Sequence, residues 1–118
     1  MKNLLYLNIL MALIATACRD ESLLLRTTDT GQKFTFEAKY SKSKTSRLEK
    51  YLDSALHNDL ALDQNVDLVI PLNANEKFNL KAKSGWLEIN FNKQNSSLNG
   101  YLKVRKLTED IQRVLKED

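Results

Sequence analysis

The stretch Lys77–Phe91 constrains the fold more than any other part of the chain. Two runs of apolar–polar alternation flank Ser84-Gly85, and a two-residue period marks a strand with one buried face. A two-residue loop at Ser84-Gly85 suits a tight hairpin, because glycine accepts the positive φ that such turns require. That loop sets Ala82 opposite Leu87, Leu80 opposite Ile89 and Phe78 opposite Phe91 on one face. On the other face it sets Lys81 opposite Glu88 and Lys83 opposite Trp86. An opposite-charge pair and an aromatic ring beside a lysine stem are what a solvated sheet face favours. Slipping the register by one residue would turn these charges inward, so the pairing is specified by the residues themselves.

The same reasoning extends outward. Val66–Leu72 alternates, and Pro71, which lacks an amide donor, belongs near a strand end or on an edge. With Asn73–Glu76 as the turn, the expected register puts Leu72 opposite Phe78, Ile70 opposite Leu80 and Asp67 opposite Lys83. Lys33–Tyr40 carries Phe34, Phe36, Ala38 and Tyr40 on one side, a further strand. Leu23–Leu25 is a brief strand or a segment packed over the core, followed by a turn-rich cluster at 27–31.

Two segments read as helices. Ser46 and Glu49 have capping-box spacing, and Leu48, Tyr51, Leu52, Ala55 and Leu56 recur at helical steps, predicting a helix over 46–57. His57 and Asn58 close it: a histidine suits the negative helix end and Asn tolerates a left-handed cap. Tyr101, Val104, Leu107, Ile111, Val114 and Leu115 predict a helix over 97–116 capped by Ser96-Ser97. The competing reading is a strand at Tyr101–Lys106 and a shorter helix capped by Thr108. The expected fold is α+β: a single antiparallel sheet of about four strands with two amphipathic helices against its apolar face, in the order β-α-β-β-β-α.

The amino terminus has a different character. Lys2 precedes an apolar run, Leu4–Ala15, which ends in Ala15-Thr16-Ala17. A charged start, a short apolar core and small residues at Ala15 and Ala17 are the parts of a cleavable signal peptide. A helical run of this length spans roughly 20 Å, short of the roughly 30 Å hydrocarbon core of a bilayer. Cys18, the one cysteine in the chain, follows the cut. The segment Ala15-Thr16-Ala17-Cys18 resembles the lipobox of bacterial lipoprotein signal peptides, with Ala15 standing where that pattern usually has Leu. The resemblance covers the first 18 residues and implies lipidation of Cys18, a diacylglycerol on its sulfur and a third acyl chain on its amine. The competing reading is an ordinary cleavage that leaves a free thiol. An unpaired cysteine is a liability in an oxidising compartment, whereas an acylated one is an anchor. The expected organisation is therefore a signal peptide at 1–17, a lipidated Cys18 with a tether to residue 31, and a single domain at 32–118. Asp20-Glu21 also resembles the acidic export address that follows the cysteine in some surface lipoproteins; an ordinary solvated linker explains it as well.

The residues give little material for catalysis. A nucleophile needs a base beside it, and the chain has one histidine, placed in a helix cap, and one cysteine, placed at the anchor. The spacing of Asp59, Asp63 and Asp67 lacks the Gly and Glu of a calcium loop. No phosphate-binding glycine loop occurs. The expectation is a protein that is not an enzyme, with no catalytic residues, no cofactor and no metal. A formal net charge of +3 is too small for a nucleic-acid steering field, so nucleic acid is not an expected partner. One local run is basic: Lys39, Lys42, Lys44, Arg47 and Lys50 face only Glu49. It reads as a solvated helix start or as a contact patch for anionic headgroups or an acidic partner.

Trp86 together with Lys42, Lys44 and Arg47 are the candidate partner contacts, since exposed tryptophan is enriched at interfaces; the competing reading packs the ring on Lys83 or covers it with Leu23–Leu25. The expected role is a membrane-anchored envelope lipoprotein, held through acylated Cys18, that binds another envelope protein as an inhibitor, immunity-type protector or accessory subunit. The alternative is a small-ligand or lipid-binding module with a pocket between sheet and helices, which Tyr40, Tyr51 and Tyr101 could line; the plainer reading of these tyrosines is packing with their hydroxyls at the rim.

Overall fold

The computed structural model describes residues 23–57, 59–94 and 96–117. Five strands, β1 (Leu24–Asp29), β2 (Lys33–Lys39), β3 (Val66–Pro71), β4 (Lys77–Lys83) and β5 (Trp86–Asn92), form one open antiparallel sheet in the order β1-β2-β5-β4-β3. Helix α1 (Thr45–Leu56), preceded by a 3-10 turn at Lys42–Lys44, joins β2 to β3, and α2 (Leu98–Lys116) follows β5. Both helices pack on the same face. Leu48 and Leu52 of α1 and Val104, Leu107, Ile111 and Leu115 of α2 share one buried core with Phe36, Leu80, Leu87, Ile89 and Phe91. The class is α+β, with one strand more than expected.

That strand is β1. Of the two readings of Leu23–Leu25, the strand is the one realised, but it runs on from Leu24 to Asp29 through the expected tether, and the threonines expected in a turn are paired instead, Thr27 with Phe36 and Thr28 with Thr35. Threonine is β-branched and suits a pleated edge. The reversal is deferred to Gly31-Gln32, where the Thr30 hydroxyl accepts from the amides of Gln32 and Lys33 at 3.2 and 3.1 Å.

The β4–β5 hairpin has the register expected, with Leu80 against Ile89, Ala82 against Leu87, Lys81 against Glu88 and Lys83 against Trp86. The β3 register is shifted by two residues from the expectation. Ile70 lies opposite Phe78, Leu68 opposite Leu80 and Asp67 opposite Lys81. The cause is local: the Asn73 side chain accepts from the amides of Asn75 and Glu76, each at 2.9 Å, and tightens the turn so that Leu72 donates to Glu76 at 2.8 Å. A two-residue shift leaves every side chain on its expected face.

Helix α2 is continuous through Tyr101–Lys106, and Ser97 caps it by accepting from Gly100 at 3.0 Å. Helix α1 ends at His57, close to the expected bound, but the left-handed residue is His57 itself, with a φ of 56° and its amide donating to the Asp53 carbonyl, whereas Asn58, the residue expected to take that conformation, lies outside the described residues. Its start differs. Ser46 and Glu49 do not form a capping box. Ser41 caps the 3-10 turn, and Glu49 accepts from the Leu62 amide at 2.7 Å. Asp53 similarly accepts from the Leu60 amide at 3.2 Å. These two acids hold the loop after α1 so that Leu60 and Leu62 are buried in the core.

Candidate functional site

Among the described residues the sheet is open, with β1 and β3 as its edges, and the two differ in chemistry. On β3 the only charge is Asp67, which accepts from the Asn79 side chain at 2.9 Å. Its neighbours Leu68 and Val69 are 40% and 60% exposed. In an antiparallel ladder, alternate residues turn their backbone groups toward the partner strand. Because the Leu72 amide bonds back to Glu76, Leu72, Ile70, Leu68 and Val66 face β4. Asp67, Val69 and Pro71 then turn their backbone groups outward. Pro71 has no donor there to leave unpaired, which is where a strand tolerates proline. The outward edge offers two N–H groups and a row of carbonyls, bordered by apolar side chains on both faces.

Beside the end of this edge lies a cleft of about 340 Å³ between β3, the last turn of α1 and the middle of α2. Ile70, Leu72, Phe78 and Leu107 supply its apolar surface, and Tyr51, His57, Lys103, Lys106 and Asp110 supply its polar groups. Asp110 is already engaged. It accepts from Arg113 at 2.7 Å, Lys106 at 3.0 Å and the Tyr51 hydroxyl at 3.1 Å. The Arg113 and Lys106 bonds, with that of Tyr51, hold its carboxyl down at about 2. Burial, reinforced by the Asp110 carboxylate, pushes Tyr51 up to about 12. Neither group is poised for proton transfer near neutral pH, which would need a pKa close to the working pH. The arrangement is an apolar recess with a cationic rim.

Of the three tyrosines that could line the alternative pocket, one does so. Tyr51 lines the cleft. Tyr101 lies elsewhere, edge-on to Phe34 with ring centroids 6.0 Å apart and its hydroxyl on Asp29. Tyr40 is buried, and burial pushes its hydroxyl up to about 12. Each tyrosine faces the core from a different element, and helical or strand spacing alone does not say which will meet.

Of the sequence-derived candidates, Ala15, Ala17 and Cys18 lie outside the described residues. Trp86 is on the open sheet face, half-buried. Its Nε1 donates to Glu37 at 2.7 Å, and the Lys83 ammonium lies 5.4 Å from the ring centre. Lys44 and Arg47 converge on one acceptor, the Glu117 carbonyl at the end of α2, with Arg47 at 2.7 Å. Cations at the negative end of a helix stabilise it. Lys42 is exposed beside the β4–β5 turn, near Gly85. The basic run is therefore partly spent on tying α1 to α2. It stands at the opposite end of β3 from the cleft, since Val66 begins that strand beside Ala82 and Pro71 ends it beside Lys77.

Among the described residues, no group of three or more His, Cys, Asp or Glu side chains is placed to hold a metal, and no helix is long and apolar enough to cross a membrane. Comparison with protein-family models, with curated proteins and with solved structures gives no match.

Proposed function

We propose that the chain is an envelope lipoprotein, anchored by acyl chains on Cys18, whose folded domain binds another envelope protein without catalysing a reaction. The observation that carries the binding reading is the exposed apolar pair Leu68 and Val69 on an unpaired strand edge, contiguous with the cleft at Ile70, Pro71 and Leu72. Natural edges are usually blunted by charge or covered. This one carries a single charge, and an adjoining recess can receive a side chain. An extended segment of a partner adds to β3 through main-chain hydrogen bonds, and an apolar side chain enters the cleft, the strand-addition mode of recognition. Lys103 and Lys106 at the rim favour a partner segment carrying an acidic residue.

A photo-crosslinker placed at Val69 tests this in membranes of the native cell. The expected result is one recurrent adduct, absent when the crosslinker sits at Lys50 and lost in a Leu68→Glu background. Equal labelling from both positions, or no adduct from Val69, contradicts it.

The cleft also supports a second reading, a small anionic amphiphile with its tail on Phe78 and Leu107 and its head on Lys103 and Lys106. Extraction separates the two: protein purified from membranes with no retained fatty acid, and a Val69 adduct that survives excess fatty acid, favour the protein partner, whereas a stoichiometric fatty acid co-purifying with the domain favours the amphiphile.

A further inference from the structure

The described chain begins at the end of the sheet that also carries Trp86. Leu24 pairs with Lys39, Lys39 with Trp86 and Trp86 with Lys83, so these four residues form one row across β1, β2, β5 and β4. All four lie on the open face, because their strand neighbours Ala38, Ala82 and Leu87 are buried on the other. Leu24 is 60% exposed, Lys39 and Lys83 are exposed and Trp86 is half-exposed. Lys42, in the adjacent 3-10 turn, stands beside this end of the sheet, its stem near Gly85.

Acids at this end are mostly engaged. Glu37 accepts from Arg26 at 3.3 Å and from Trp86, and Glu49 holds the Leu62 amide. Glu117 stands beside Lys44 and Arg47, which take its carbonyl. Glu88, one row further along the same face between Lys81 and Glu37, is the acid without such a bond; in the row itself the charges are the cations Lys39 and Lys83, joined by Lys42 in the adjacent turn.

Residues 19–23 separate Cys18 from Leu24. Fully extended, that connection reaches roughly 20 Å. A domain so tethered keeps this end within a few screening lengths of the bilayer, since the Debye length is about 8–10 Å at physiological salt. An indole with its N–H satisfied, an exposed leucine and flanking lysines are the side chains that settle at a membrane interface, apolar parts down and cations among headgroups. Each lysine near an anionic surface contributes attraction.

We infer that this end of the sheet, the Leu24–Lys39–Trp86–Lys83 row with Lys42, seats on the anionic surface of the bilayer that holds the anchor. This orientation rests on the lipoprotein reading, because it needs Cys18 in the membrane. It turns the apolar edge of β3 and its cleft, which lies toward the other end of that strand, away from the lipid.

Trp86 is the only tryptophan in the chain, so its emission reports this end alone. The experiment uses full-length protein extracted from membranes, its acyl mass recorded, and reconstituted in vesicles of phosphatidylglycerol and phosphatidylcholine brominated near the headgroup end of the acyl chains. The expected result is emission at least about twofold lower than in unbrominated vesicles, as interfacial placement of the ring implies. Lys39→Glu combined with Lys83→Glu restores the emission while flotation with the vesicles is kept. Acyl mass and flotation with no difference between brominated and plain lipid overturn the orientation alone. Absence of acyl mass and of flotation overturns the anchor and the orientation with it. Quenching that persists in the double variant overturns the role given to the lysines.

Discussion

The Glu76 carboxylate stands at the amino end of α2, where it accepts from the Ser97 amide and, at 3.0 Å, from the Ser97 hydroxyl. Ser97 in turn accepts from Gly100, and Asn73 donates to Glu76 at 2.7 Å. The turn between β3 and β4 thereby caps the helix that forms the far wall of the cleft. An anion at this position suits the positive end of the helix dipole. Removing the cap with Ser97→Ala is expected to cost about 1 kcal/mol, read as a lower urea midpoint with unchanged slope. Glu76→Gln should destabilise in the same direction. The Ser97 amide, aided by Asn73, holds the Glu76 carboxyl below its ordinary value of 4.5. Its contribution is present above that value and fades as pH falls below it, and the Gln variant should lose that part of the acid limb.

Gly85 turns the β4–β5 hairpin with a φ of 76°, and a Cβ there would lie 3.1 Å from the Tyr40 carbonyl oxygen. Gly85→Ala meets both a left-handed backbone and a backbone neighbour that cannot move aside freely. The expected loss is about 1–2 kcal/mol, seen as a reduced thermal midpoint. A variant as stable as the parent would mean that the turn relaxes to another geometry.

Asp110 links α2 to Tyr51 of α1 beneath the cleft. Its folded value of about 2 lies below the ordinary 3.8. The stabilisation is therefore fully present above about pH 4 and is lost as pH falls toward 2. Asp110→Asn should be less stable than the parent at neutral pH, and the two proteins should converge across that window. A difference that stays constant from pH 6 to pH 2 would count against the linkage.

Core and edge should respond differently to the same change. Phe36 and Leu48 are fully buried, and Leu68 is 40% exposed. Leu48→Ala is expected to cost about 2–5 kcal/mol. Leu68→Ala should cost less than about 1 kcal/mol, within the range of surface substitutions, yet it should weaken the Val69 adduct. Stability curves and crosslinking yields, measured on the same preparations, separate the two effects.

Much of this fold is written locally. Alternation around Ser84-Gly85 defines the central hairpin, and the spacing from Val104 to Leu115 defines α2. Their signals are clear because each has one face buried along its whole length. Strand β1 is not legible in the same way. It is an edge whose residues are nearly all exposed, so Leu24–Asp29 shows no period. The shift of β3 was hidden in one side chain, Asn73, whose hydrogen bonds shorten the turn. Glu49 carries capping-box spacing yet serves the Leu62 amide, a partner that only the returning loop supplies. The site was less legible than the fold. Tyr51, Ile70, Phe78 and Leu107 come from four elements, and no spacing links them. The basic run was visible, but the use of Lys44 and Arg47 on the Glu117 carbonyl depends on where two helix ends meet.

The most direct test of the central proposal, a folded module held to a membrane by acylated Cys18, is the intact mass of the protein extracted from native membranes with detergent. The account predicts a chain that begins at Cys18 and carries the added mass of a diacylglycerol and a further acyl chain. A chain that begins at Met1, or one that begins at Cys18 with a bare thiol and stays in the soluble fraction, would contradict it.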